Sequence, residues 1–172
     1  MPRMPQETGR SSQKLRCRIL PVSRGSETNL HQDRTILLVE DSSDDERLTL
    51  RAIRSTDPNI QVIVARDGEE ALGLLFGSDG KGPIRPALVL LDLKLPKVGG
   101  LEVLRRLREQ ASTRALPVVV LSSSDETDDI SESYKRGANS YVRKPVNFNE
   151  FVDAVHHLHQ YWLTVNVMSP GA

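Results

Sequence analysis

One cysteine in 172 residues, Cys17, leaves no partner for an internal disulfide, a usage that fits a reducing compartment. Lysine plus arginine equals aspartate plus glutamate at 23 each, so no surplus of one sign argues for nucleic acid or another highly charged partner. No apolar run approaches the roughly 20 residues needed to cross a bilayer, and the amino terminus lacks the basic start and apolar core of a signal peptide. These absences lead to the expectation of a cytoplasmic protein without a membrane partner. The glycine-rich stretch Gly77-Ser-Asp-Gly80-Lys81-Gly82-Pro83 is no phosphate-binding P-loop: Gly82 stands where Ser or Thr is needed, and no glycine lies five residues before Gly80. The four histidines, His31, His156, His157 and His159, have no carboxylate or cysteine arrangement that argues for zinc.

What is present is uneven. Residues 1–34 carry Arg3, Arg10, Lys14, Arg16, Arg18, Arg24 and Arg34 against Glu7, Glu27 and Asp33, with no sustained apolar periodicity. We therefore expect a flexible basic extension at 1–33, a folded domain at 34–165 and a short tail at 166–172.

Within 34–165, strand and helix patterns alternate five times, which implies an α/β fold with a parallel sheet covered on both faces. Strands are predicted at 35–39, 60–65, 87–92, 118–121 and 140–143. Helices are predicted at 43–55, 67–76, from Gly99-Gly100 onward, at 128–136 and at 148–163. Ser43 with Glu46, and Asp67 with Glu70, have capping spacings. Leu48, Ala52 and Ile53 supply the core face of the first helix; Leu101, Leu104 and Leu107 that of the third; Phe151, Val155, Leu158 and Trp162 that of the fifth. Gly137 marks the stop of the fourth.

Charge at the strand ends carries the functional signal. Asp92 interrupts Ala87-Leu88-Val89-Leu90-Leu91, Glu40-Asp41 closes Ile36-Leu37-Leu38-Val39, and Lys144-Pro145 closes Ser140-Tyr141-Val142-Arg143. A carboxylate in apolar company is costly unless paired. Open parallel sheets bind ligands beyond the carboxyl ends of their strands, where strand order reverses. Three acids and one lysine converging there suit a divalent cation and a phosphoryl group.

These motifs, Leu-Val-Glu40-Asp41-Ser, Leu-Leu-Asp92-Leu-Lys-Leu-Pro96, Val-Leu-Ser122-Ser and Tyr141-Val-Arg-Lys144-Pro145, resemble the receiver domain of two-component response regulators, over Thr35 to about Leu163. The resemblance implies a flavodoxin-like, doubly wound five-stranded sheet of order 2-1-3-4-5 with five helices. It implies that Asp92 is the phospho-acceptor for a phosphohistidine on a sensor histidine kinase. Asp41 would ligate Mg²⁺ directly and Glu40 through water, with Asp92 and the Lys94 backbone carbonyl completing the set. Lys144 would pair with Asp92 and then with the phosphoryl oxygens. Ser122 corresponds to the switch hydroxyl, and Tyr141 to the aromatic expected to rotate inward once that hydroxyl moves. A cis Lys144-Pro145 bond is also implied. Lys94, a long cation beside Asp92, is expected to alter water attack on the acyl phosphate; an unchanged phosphoryl lifetime in Lys94→Asn would refute that.

The ending His156-His-Leu-His-Gln-Tyr161-Trp162 resembles the stand-alone regulators that partner bacterial phytochromes. It brings the expectation of a phytochrome-type kinase partner and a candidate homodimer through the face of the fourth helix, fifth strand and fifth helix; Trp162 capping the monomer's own core is the alternative. The few residues after the fifth helix are too few for a DNA-binding or enzymatic output domain, so no direct DNA contact is expected. The leading reading is a single-domain regulator acting by phosphorylation-dependent protein contacts, not an enzyme on a separate substrate. The alternative is a relay intermediate that passes phosphate to a histidine phosphotransfer protein. An aspartyl-phosphate hydrolase is disfavoured because Lys94 occupies the place of its second carboxylate, and a binding-only module because every acceptor, metal and lysine position is filled.

Overall fold

A computed structural model describes residues 35–78 and 82–168. The predicted extension at 1–33, with Cys17 and His31, and the end of the predicted tail lie outside the described residues.

The elements run β1 (Thr35–Val39), α1 (Ser43–Thr56), β2 (Gln61–Ala65), α2 (Gly68–Phe76), β3 (Leu88–Leu91), α3 (Gly100–Glu109), β4 (Val118–Ser122), α4 (Thr127–Lys135), β5 (Ser140–Arg143) and α5 (Phe148–Gln160). All strand pairs are parallel, and the order is β2-β1-β3-β4-β5. Because β-strand side chains alternate between faces, each apolar run feeds two cores. Leu37, Val39, Val89, Leu91, Val118 and Val120 pack toward Leu72, Leu75, Leu104 and Leu107 of α2 and α3. Ile36, Leu38, Leu88, Leu90, Val119 and Leu121 pack toward Ala52, Ile53, Phe151 and Val155 of α1 and α5. The unbroken apolar runs of β1, β3 and β4 are therefore the signature of strands covered on both sides.

The chain leaves β1 for the edge strand β2 and returns to β3 on the other side of β1, so the ends of β1 and β3 flank the point where strand order reverses.

Helix ends follow local chemistry, with two corrections to the sequence reading. The N-cap of α1 is Ser42, not Ser43: its Oγ accepts from the Asp45 N–H at 3.4 Å. The Asp67 and Glu70 pair holds as expected, with Asp67 Oδ1 accepting from the Glu70 N–H at 2.8 Å and the Arg66 N–H donating to Glu70 Oε2 at 2.8 Å. Gly137 ends α4 with φ 88°, where the Gly137 N–H donates to Tyr134 O at 3.0 Å and the Ala138 N–H to Ser133 O at 2.9 Å, the paired bonds of a Schellman stop. α5 ends at Gln160, short of the predicted 163, and continues as a π turn, Tyr161–Val165, closed by the Asn166 N–H on Tyr161 O at 2.7 Å.

Leu48 is a further correction: it is 42% exposed, and Thr49, Ala52 and Ile53 form the buried stripe of α1. Trp162 packs on the α1 and α5 core, edge to face with the exposed Tyr161. No helix among the described residues is long and apolar enough to cross a membrane.

Candidate phosphoryl-transfer site

The backbone ladder carries the charged residues just past the strands. The Glu40 N–H donates to Ala65 O at 2.9 Å, the Asp92 N–H to Val39 O at 3.0 Å and the Lys144 N–H to Ser122 O at 2.8 Å. Three residues from three strand ends are thus held in register by sheet hydrogen bonds, and their side chains meet at the reversal point.

Asp92 is 8% exposed. Its Oδ1 accepts from the backbone N–H of Leu93 at 2.6 Å and of Lys94 at 3.2 Å, and from the Ser122 hydroxyl at 3.1 Å. Its Oδ2 meets Lys144 Nζ at 2.7 Å. Every polar atom of this buried side chain therefore has a partner. Glu40 is 1% exposed; Oε2 meets Lys144 Nζ at 2.6 Å and Oε1 accepts from the Ser42 N–H at 3.2 Å. Burial raises the Glu40 carboxyl pKa, an effect the Lys144 contacts only partly counter. Burial alone would depress the Lys144 ammonium, but hydrogen bonds to Asp45, Asp92 and Glu40 outweigh it and hold the pKa above the usual lysine value. Lys144 is therefore a fixed positive charge at neutral pH.

The structure brings Glu40, Asp92, Ser122 and Lys144 together. The Asp41 side chain stands outside this contact set: the residue is exposed, and the three carboxylates whose oxygens lie within 4.8 Å of one another are those of Glu40, Asp92 and Asp45. Sequence reasoning passed over Asp45, which reaches Lys144 Nζ at 2.8 Å from the first turn of α1. A signal was available: Asp45 is three residues after the capping Ser42, where the helix turns its side chain back toward the end of β1. Lys94 lays its backbone over Asp92 through its N–H, while its residue is exposed. The Lys144-Pro145 bond is trans, against the sequence expectation; the intrinsic preference at X-Pro bonds is only about 0.5–1 kcal/mol, so the local chain path decides the isomer.

Next to the site, the β4–α4 loop links it to the far edge of the sheet. Ser122 Oγ also accepts from the Ser124 N–H at 3.4 Å, and the Tyr141 hydroxyl donates to Ser124 O at 2.9 Å. The Tyr141 N–H in turn donates to the Tyr134 hydroxyl of α4 at 3.2 Å. Burial raises the Tyr141 hydroxyl pKa, so the phenol remains a donor.

A groove of about 290 Å³, lined by Asp45, Leu48, Lys144, Pro145, Val146 and Phe148 among others, opens beside Lys144. A larger cleft of about 700 Å³ lies elsewhere, between Asp67, Gly73 and Lys97, and holds none of these site residues. The geometry that bears charge, not the bigger space, locates the chemistry. Among the described residues no histidine joins a group able to hold a metal.

Oxygen donors from Glu40 and Asp92, gathered within 4.8 Å, are what a hard divalent cation such as Mg²⁺ prefers, so these residues fit such an ion.

Residues 36–156 match the model of the response regulator receiver domain. The probable methanogenesis regulatory protein FilR2 of Methanothrix harundinacea is 41% identical over 136 residues, 79% of this chain and 87% of its own. The solved structure of the phosphorylated cyanobacterial phytochrome response regulator RcpA matches with TM-score 0.75 and 36% identity, over 80% of this chain and 99% of RcpA. The Mn²⁺-bound form of response regulator Rcp1, a Synechocystis protein, matches with TM-score 0.73 and 34% identity, over 80% of this chain and 99% of its own.

Proposed function

Because the chain belongs to the response regulator receiver domain family, we propose that Asp92 is its phospho-acceptor and that a sensor histidine kinase, of phytochrome type, is the donor. The observation that carries this reading is the pairing of the two Asp92 oxygens: one is held by Ser122 and two backbone N–H groups, the other by Lys144. An Asp92 oxygen attacks the phosphorus of the phosphohistidine, the N–P bond breaks, and the imidazole nitrogen leaves with the bonding pair. Lys144 and the Ser122 hydroxyl then face the phosphoryl oxygens, and the ammonium offsets charge that spreads over them. Water attack on the phosphorus later releases inorganic phosphate and restores the carboxylate.

Glu40, Asp41 and Asp92, with the Lys94 carbonyl, would hold Mg²⁺, and Rcp1, whose Mn²⁺-bound form is solved, supports a divalent ion here. When bound, the ion would supply positive charge against the phosphoryl oxygens. Output is by protein contact in the cytoplasm: the Ser122 to Ser124 to Tyr141 chain of hydrogen bonds leads to the α4, β5 and α5 face, which bears the exposed Tyr134 and is the candidate homodimer surface. RcpA, a phytochrome response regulator, supports the donor class.

Incubation with acetyl phosphate and Mg²⁺, followed by intact mass, tests the reading. One added phosphoryl group that requires Asp92 and the cation is expected. No adduct, from this donor or from a phytochrome kinase, or an adduct that persists in Asp92→Ala, would overturn it.

A further inference from the structure

Lys144 carries three N–H bonds, and three carboxylates take them: Glu40 at 2.6 Å, Asp92 at 2.7 Å and Asp45 at 2.8 Å. The lysine side chain is only 8% exposed, so water cannot replace a lost partner cheaply. Asp92 gives up carboxylate character when it forms an acyl phosphate, and a cation bound by Glu40 and Asp92 would draw on the same oxygens. Asp45 differs from both. It comes from α1 instead of the sheet, and its side chain is 38% exposed.

The first turn of α1 holds three acids, Asp44, Asp45 and Glu46. Acids there suit the helix dipole wherever they point. Asp44 turns to Arg47 at 2.6 Å and Glu46 to Arg66 at 3.3 Å; Asp45 turns to the site lysine. Lysine has a flexible four-carbon stem and a compact charge, and with one of three acceptors left it can swing.

Resting on the acceptor reading of Asp92, we propose that Asp45 is a positioning residue for Lys144. It holds the ammonium from the α1 side over Asp92 while the chemistry takes up the oxygens of Glu40 and Asp92. Asp45 also lines the groove beside Lys144, so the residue that holds the lysine stands on the wall a donor would approach.

The test compares wild type, Asp45→Ala, Asp45→Asn, Lys144→Ala and the double variant Asp45→Ala with Lys144→Ala. Rates of phosphoryl uptake from acetyl phosphate are read by intact mass at saturating Mg²⁺. Asp45→Ala is expected to slow uptake on the order of tenfold, the scale of one charge-assisted hydrogen bond. Asp45→Asn, whose amide oxygen still accepts, recovers most of the rate. In the Lys144→Ala background the alanine at 45 costs nothing further, because the two residues act as one unit.

An Asp45→Ala rate equal to wild type overturns the proposal. So does an equal loss in the Lys144→Ala background, which would make Asp45 a metal ligand or a structural residue. A second readout avoids phosphoryl transfer: the ¹H–¹⁵N signal of the Lys144 ammonium, visible while its protons are held, is expected in the metal-free wild type and lost or broadened in Asp45→Ala. An unchanged signal overturns the positioning role. A wild type that takes no phosphoryl group while showing that change overturns only the acceptor reading.

Discussion

Gly100 lies so close beneath Asp92 that a Cβ at position 100 would overlap the Asp92 carbonyl oxygen. The start of α3 is pressed against the loop that carries the acceptor, with the Gly100 N–H on Leu93 O at 3.0 Å. Gly100→Ala is expected to cost about 3 kcal/mol, since backbone and not a soft side chain must move. Gly99→Ala is the control: its Cβ would meet only Leu93 O at 3.8 Å. Urea unfolding should show a lower midpoint for Gly100→Ala alone, with slower phosphoryl uptake.

Lys144 predicts a pH profile. Its folded pKa stands above the ordinary 10.5 because three carboxylates outweigh burial. Its contribution is then fully present below about pH 10.5 and is lost as pH rises through the folded value. Lys144→Met leaves Glu40, Asp45 and Asp92 without their cation, a loss of about 3–5 kcal/mol near neutrality for a broken buried pair. That deficit should begin to shrink above pH 10.5, where the unfolded chain gives up its lysine proton, and vanish once the folded ammonium is lost as well. It should shrink again on acidification, as the Glu40 carboxyl, which burial raises above the ordinary 4.5, takes up its proton. A deficit independent of pH would refute the assignment.

Arg108 ties α3 to the turn after α4. Its guanidinium donates to Gly137 O at 2.9 Å, Leu116 O at 3.0 Å and Asn139 Oδ1 at 2.9 Å, and burial lowers its pKa. Arg108→Ala should cost about 2–4 kcal/mol by leaving several acceptors unpaired. Arg108→Lys should not restore it, because one ammonium cannot span the fork. Thermal unfolding of the two variants decides this.

Tyr141→Phe removes the hydroxyl bond to Ser124 O. A loss of about 1 kcal/mol is expected, with faster amide exchange confined to the β4–α4 loop and α4. Uniformly faster exchange would show the hydroxyl to be a general stabiliser and not a local tie.

Divalent cation should raise the melting temperature by mass action. Glu40→Gln and Asp92→Asn are each expected to weaken that rise, and calorimetric titration with Mg²⁺ or Mn²⁺ measures the change.

The sequence by itself determined the five strands, the parallel sheet and the placement of Glu40, Asp92, Ser122 and Lys144 at strand ends. Apolar runs such as Leu88-Val-Leu-Leu91 are local signals, and a charge at their end survives burial only with a partner. Helix stops such as Gly137 were legible for the same reason, since a positive φ is a property of one residue. Only the tertiary structure decided what depends on neighbours distant in the chain. Asp45 meets a lysine 99 residues away, Leu48 faces the Lys144 groove and not the sheet, and Arg108 finds Asn139 31 residues on. A first-turn acid, a helical leucine and a helical arginine all read as ordinary surface or core residues in sequence. Their roles are set by which element packs opposite, and local periodicity carries no information about that.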